Sequence, residues 1–294
     1  MLTIIENLLD DETVRRFRDR LADADWQDGA GTAGTRSIAV KQNLQLPRQD
    51  ALAQELGTAI LRELGRHAEF VSASLAEKIW PPVFNLYQDG GHYGTHSDAA
   101  LMRLPEADLT IRSDLSATLF LSDPGSYDGG ELIVEEQFGA QAVKLAAGDM
   151  VLYPSSSLHQ VAPVTRGQRI CAISWIQSAV ADTPARALLY DLDQSIRALT
   201  PDRPQDDPEI NRLIHVYHNL LRRSRLLGST AVSASQPPPR LIATSWPAGS
   251  TPPAPPGIPL PDLPPLGCAG MPRLTASSPT SGVTRGGSCL STVR

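Results

Sequence analysis

Apolar positions along this 294-residue chain repeat first with a helical period, then with a strand period, and then with a helical period again. After an apolar lead-in over residues 1–9, Asp10 and Asp11 can cap a helix. Its apolar face carries Val14, Phe17, Leu21 and Ala24, and it is expected to end near Gly29. The GAGTAGT run at 29–35 reads as a flexible loop. Lys41, Asn43 and Gln45 then alternate with Leu44 and Leu46, which predicts a strand with one polar face. Asp50 opens a second helix through Leu52, Leu56, Ile60 and Leu64.

From Phe70 to Gln177 the period changes. Short β-rich runs at 83–87, 116–121, 131–134, 142–145, 150–153, 159–164 and 169–176 are separated by Gly, Pro, Asp and Ser. Strands this short and evenly spaced predict a sandwich or barrel, not a parallel sheet. Helices return at Thr183-Pro184, read as an N-cap and first helical residue, and at Asp207-Pro208. Arg222, Arg223 and Arg225 suit the dipole at the second helix's C-terminal end, and Gly228 is expected to stop it. The basic cluster is therefore read as a helix terminus.

Charge sharpens the division. The 66 residues from Ser229 hold 14 of the 25 prolines, four Arg, one Asp and no Lys or Glu. That leaves residues 1–228 with 22 basic and 31 acidic side chains, a net of −9, against +3 for the tail. The expected organisation is a helical and strand support region at 1–69, a β core at 70–178, a helical region at 179–228 and a tail at 229–294. The tail's composition predicts disorder, and out-of-frame or read-through origin is a reading that intact mass would test. An acidic body argues against nucleic-acid binding. No apolar run approaches a bilayer span, and the N-terminus lacks a basic n-region, so neither a membrane nor a secretory role is expected. Cys171, Cys268 and Cys289 are too few for a disulfide framework, which suits a cytoplasmic protein.

The chemistry concentrates in four segments. Tyr87-x-x-Gly90-Gly91-x-Tyr93-x-x-His96-x-Asp98 is the densest. Tyr127-Asp128-Gly129-Gly130-Glu131-Leu132 and Ala147-Gly148-Asp149-Met150 follow, and His159-x-Val161-x-Pro163 runs on to Gly167-x-Arg169. A lone His-x-Asp pair is weak, but on a strand its two side chains share one face about 7 Å apart. Adding His159 completes two imidazoles and a carboxylate, the donor set that leaves open positions on non-haem Fe(II). Arg169, ten residues beyond His159 across a turn at 165–168, is expected on the neighbouring antiparallel strand, where its guanidinium can pair bidentately with a carboxylate.

In order and spacing these segments resemble the Fe(II)- and 2-oxoglutarate-dependent dioxygenases of the prolyl/lysyl hydroxylase type, and more closely the bacterial PKHD-type hydroxylases. The resemblance covers residues 1–226. It implies an α+β fold with a mainly β core, a double-stranded β-helix (jelly roll) flanked by N- and C-terminal helices. It implies Fe(2+) held by His96, Asp98 and His159, and 2-oxoglutarate anchored by Arg169. It also implies hydroxylation with release of succinate and CO2, L-ascorbate (vitamin C) dependence, and a link to iron uptake. The substrate is left open between a prolyl- or lysyl-like protein residue and a small molecule. A cupin-type dioxygenase not using 2-oxoglutarate, and an iron- or 2-oxoglutarate-responsive binding protein, are the alternatives. Tyr87 reads equally well as a co-substrate contact and as a core aromatic. Lys41, Asn43 and Gln45 fit either an exposed strand face or a substrate cleft with 29–35 as its lid. Ile214, Tyr217 and Leu221 offer a homodimer face.

Overall fold

A computed structural model describes residues 2–29, 40–104, 109–137 and 139–233. In chain order these form β1 (Thr3–Ile5), α1 (Asp11–Ala22), β2 (Gln27–Asp28), β3 (Lys41–Gln42), β4 (Leu44–Gln45), α2 (Ala51–Leu64) and α3 (Ala68–Ser74). Next come β5 (Ala76–Ile79), β6 (Val83–Tyr87), β7 (His92–His96), β8 (Leu101–Leu104), β9 (Leu109–Arg112) and β10 (Leu115–Phe120). The strands end with β11 (Asp128–Gly129), β12 (Leu132–Glu136), β13 (Gly139–Val143), β14 (Met150–Pro154), β15 (His159–Val161), β16 (Val164–Arg166) and β17 (Arg169–Ser178). Two helices follow, α4 (Thr183–Leu199) and α5 (Pro208–Ser233).

The strands make two antiparallel sheets and two ribbons. The larger sheet runs β1-β14-β10-β17-β6-β4-β2, with β5 also pairing β17. The smaller runs β13-β12-β15-β7-β3. β11 pairs β16 and β8 pairs β9.

Period-2 alternation explains how the larger sheet serves two interiors. On β14, Met150 and Leu152 join α1 and α2 through Val14, Phe17, Leu21, Leu56, Ile60 and Leu64. Val151 and Tyr153 turn the other way, against Leu132, Val134, Val143 and Val161 of the smaller sheet. β17 repeats the division: Ile170, Ala172 and Ile176 face the helices, while Arg169, Cys171, Ile173 and Trp175 line the space between the sheets. A strand covered on both faces must be apolar throughout, which is why its pattern reads as a continuous run. The result is the expected double-stranded β-helix with helices packed outside one sheet.

Four local expectations change. α1 stops at Ala22, and β2 intervenes before Gly29. α3 occupies 68–74, where strands were expected to begin. The cap of α4 is Asp182, whose carboxylate accepts from Ala185 N at 2.8 Å, so Thr183 is already helical. Asp caps better than Thr. Gly228 does not end α5, which continues to Ser233. The expected lid loop beyond Gly29 and the Pro/Ser-rich tail beyond Ser233 lie outside the described residues. Among the described residues no helix is long and apolar enough to cross a membrane.

Candidate metal centre

β7 and β15 are neighbours in the smaller sheet, and their register sets His96 directly opposite His159. Each imidazole bonds through Nδ1 to a carbonyl two residues earlier, His96 to Gly94 O at 2.8 Å and His159 to Ser157 O at 3.0 Å. A carbonyl only accepts, so Nδ1 carries the proton and Nε2 keeps its lone pair. Both Nε2 atoms turn toward Asp98, at 3.9 Å from Oδ1 for His96 and 3.8 Å from Oδ2 for His159.

Asp98 reaches this point by a different route from the one its spacing suggests. β7 ends at His96, so Asp98 lies beyond the strand, with its backbone N donating to Ser155 O. Its carboxylate is set by Ser116 on β10, whose hydroxyl donates to Oδ2 and also contacts Ser155 Oγ at 2.8 Å. One ligand atom from each of His96, Asp98 and His159 falls within 4.8 Å of the others, the only such cluster among the described residues. Two imidazoles and one carboxylate suit Fe(II) and leave positions for other ligands. Aromatic rings hold the imidazoles: Tyr93 stacks on His96 at 3.6 Å, and Tyr153 meets His159 edge-on at 5.0 Å. Burial, and then the neighbouring His159, lower the His96 pKa, so the metal-binding neutral form persists below the usual histidine range.

Arg169 enters the same cavity from the opposite side. It was expected on the strand beside His159, but β15 belongs to the smaller sheet and β17 to the larger. Between them β16 pairs with β11 instead, and Gly167 at φ 73° turns the chain across the sandwich. Arg169 is only 1% exposed and opposes Tyr87 of β6 in register. Its guanidinium lies 5.2 Å from the ring centroids of both Tyr87 and Phe120. Nη1 donates to Cys171 Sγ at 3.0 Å, whereas buried Nε and Nη2 have no hydrogen-bond partner among the described residues. A buried cation with an unmatched N–H edge calls for an anionic acceptor, and a carboxylate fits it in shape and charge. The residues thus fit both a divalent iron and a 2-oxo dicarboxylate.

The shared cavity has a volume of about 640 Å³. Tyr87 lines it, buried, and burial pushes its hydroxyl pKa up, so the group stays a donor. Lys41 and Gln45 line it too. Asn43 does not: it is buried, donating to Asn85 Oδ1 at 2.7 Å beside Gln45, which donates to the same oxygen at 2.6 Å. His92, bonded through Nδ1 to Gly90 O, stays outside the cavity lining. Asp149 is structural, accepting from Asn7 N at 2.8 Å.

Several functional positions carry no motif signal. Ser116 sits in a strand that reads as core, and only pairing reveals its contact with Asp98. Gly130 is a second case. At φ 68°, a Cβ there would lie 2.9 Å from Arg169 Cδ, so the glycine makes room for the arginine stem. Trp80, Trp175 and Arg48 meet at the cavity from three separate segments.

Residues 82–177 match the 2OG-Fe(II) oxygenase superfamily and residues 184–224 the PKHD-type hydroxylase C-terminal domain. A PKHD-type hydroxylase of Teredinibacter turnerae is 60% identical over 223 residues, 98% of that protein and 76% of this chain. One from Acidovorax ebreus is 56% identical over the same shares. A solved Pseudomonas putida prolyl-4-hydroxylase has 20% identity and a TM-score of 0.42, covering 60% of this chain and 92% of that one. Identity of 60% across nearly the whole of a relative decides the matter: this chain belongs to the PKHD-type hydroxylases and is an Fe(II)- and 2-oxoglutarate-dependent dioxygenase.

Proposed function

We propose that His96, Asp98 and His159 are the iron ligands, that Arg169 binds the distal carboxylate of 2-oxoglutarate, and that the enzyme hydroxylates a C–H bond of a small molecule or of a prolyl- or lysyl-like residue. The observation that carries this reading is the convergence of two opposed imidazoles on one carboxylate, with an unmatched buried guanidinium edge on the same cavity. Iron bound there supplies the oxidative decarboxylation of 2-oxoglutarate that drives hydroxylation. The protein's part is positional. Gly94 O and Ser157 O hold the two Nδ1 protons, so each imidazole presents Nε2. Ser116 orients the Asp98 carboxylate, and Arg169 with Tyr87 fixes the co-substrate's far end while the buried sandwich excludes water.

The cupin reading calls for more histidine ligands than the two gathered here. The binding-protein reading is disfavoured by family membership. An ascorbate requirement, a role in iron uptake, a cytoplasmic setting and a homodimer through α5 belong to the proposal as well. Anaerobic addition of Fe(II) and then 2-oxoglutarate should give the weak visible charge-transfer band of the chelate, and oxygen should then yield succinate. No band with the intact protein, or an unchanged band in Arg169→Ala, rejects the assignment.

A further inference from the structure

Along β17, every second side chain faces the cavity: Arg169, Cys171, Ile173 and Trp175. Six residues of strand separate the Cα atoms of Arg169 and Trp175 by about 20 Å, so the cavity extends along β17 with the co-substrate anchor toward one end. Trp175 is in register with Ser116, the residue that holds Asp98, so Trp175 lies on the metal carboxylate's side of the cavity. A small dicarboxylate occupies only part of about 640 Å³. The outer chamber remains for the substrate.

Its lining is specific. Trp80 is 4% exposed and meets Trp175 edge-to-face at 6.5 Å, while its backbone N donates to Trp175 O at 2.8 Å. The Arg48 guanidinium lies 5.7 Å from the Trp80 ring centroid, and Lys41 Nζ lies 5.3 Å from that of Tyr93, the ring stacked on His96. Among the described residues, and away from the metal triad and Arg169, the charged groups lining the cavity are Lys41, Arg48 and Asp28, two cations and one carboxylate. A basic side chain entering here meets two cations and one carboxylate. An acidic group meets the reverse, and the tryptophan pair offers a flat apolar wall.

We propose that this outer chamber selects a small acidic substrate, its carboxylate or equivalent anion held by Arg48 and Lys41 and its apolar body against Trp80 and Trp175. The inference rests on the hydroxylase reading above, since it takes this cavity as the reaction chamber. It excludes a lysyl side chain as the preferred substrate.

The test uses the Fe(II)-loaded protein with saturating 2-oxoglutarate, held anaerobically, and three isosteric ligands titrated by calorimetry. These are 3-phenylpropionate, 3-phenylpropionamide and 3-phenylpropylamine. The carboxylate should bind about tenfold or more tighter than the amine, with the amide between. Arg48→Gln should lose most of that preference and Arg48→Lys should keep it. Equal binding of the three, tighter binding of the amine, or an unaltered preference in Arg48→Gln overturns the proposal. So does phenylpropionate that binds only when 2-oxoglutarate is omitted, because it then sits at Arg169. The chelate band of the intact protein is recorded in the same samples. Its absence rejects the hydroxylase reading itself, whereas a normal band without carboxylate preference rejects only the substrate class.

Discussion

His96 and His159 stand directly opposite each other across the β7–β15 ladder, each with Nδ1 committed to its own chain and Nε2 turned toward Asp98. The sheet register therefore sets the spacing of two donors before any ion arrives. Replacing either histidine by Ala leaves two donors and should abolish the rise in melting temperature that Fe(II) or Mn(II) gives the parent, along with succinate formation. Chelation by EDTA should reproduce both losses in the parent protein. A variant whose melting temperature still climbs with metal removes that histidine from the centre.

Ser116 offers a graded version of the same test. Its hydroxyl bonds Asp98 Oδ2 and touches Ser155 Oγ inside the sandwich. Loss of such an outer partner costs about 10- to 100-fold in metal affinity. Ser116→Ala should therefore weaken Fe(II) binding by that factor and leave the half-saturating 2-oxoglutarate concentration nearly unchanged at saturating iron. Equal loss on both measures would make Ser116 a general packing residue.

Much of this site is legible in the chain because its key residues are rare types at fixed separations. His96-x-Asp98 and His159 lie in segments dense with Gly and Tyr, and a guanidinium ten residues beyond His159 is a specific signal. What stays hidden depends on pairing across the fold. Ten residues fit a hairpin as well as a crossover, so Arg169 appeared to neighbour His159 when β16 in fact carries the chain to the other sheet. Ser116, Gly130 and Trp80 look like ordinary strand, loop and core residues until register places them. Only the fold distinguishes them.

Arg169 and Gly130 predict a co-substrate effect that iron binding does not share. A hydrogen bond to a charged group contributes about 1.5–3 kcal/mol, so Arg169→Ala should raise the 2-oxoglutarate KM about 10- to 100-fold. Gly130→Ala should act in the same direction. Its new Cβ would lie 2.8 Å from Val164 Cγ2 and 2.9 Å from Arg169 Cδ, which displaces the guanidinium. Fe(II) affinity, measured without 2-oxoglutarate, should hold in both variants. A Gly130→Ala enzyme with parental KM would show that the arginine stem has room to spare.

Lys41 sets a pH dependence for anionic ligands. Burial lowers its pKa to about 8, with Asp28 pulling the other way. The groups around it include Asp28, the Tyr93 ring and His96. Lys41 is charged below its pKa and neutral above, so its attraction for an anion is present at pH 7 and fades as pH rises through about 8. Affinity for 3-phenylpropionate should fall across that interval, and Lys41→Gln should flatten the curve at its weaker end. An unchanged curve in Lys41→Gln assigns the step to another group.

Asn43 separates a structural role from a substrate-lining one. Its alternation with Lys41 and Gln45 suggested a residue in the cleft, and Asn43→Ala would then raise the substrate KM. Instead it is 6% exposed and donates from Nδ2 to Asn85 Oδ1, the acceptor it shares with Gln45. Asn85 is itself fully buried, and its amide donates to Val83 O. Removing Asn43 deletes its bonds to Asn85 and Tyr87 but leaves the Asn85 oxygen satisfied by Gln45, so the cost is at least that of a single net hydrogen bond, about 1 kcal/mol. For a body of this size that lowers the melting temperature by roughly 2–4 °C. Gln45, by contrast, lines the cavity and supports β4, so Gln45→Ala should lower stability and weaken phenylpropionate binding together. Thermal unfolding and calorimetry on the two variants decide between the roles. If Asn43→Ala keeps the parental melting temperature and loses ligand affinity, the residue belongs to the cleft after all.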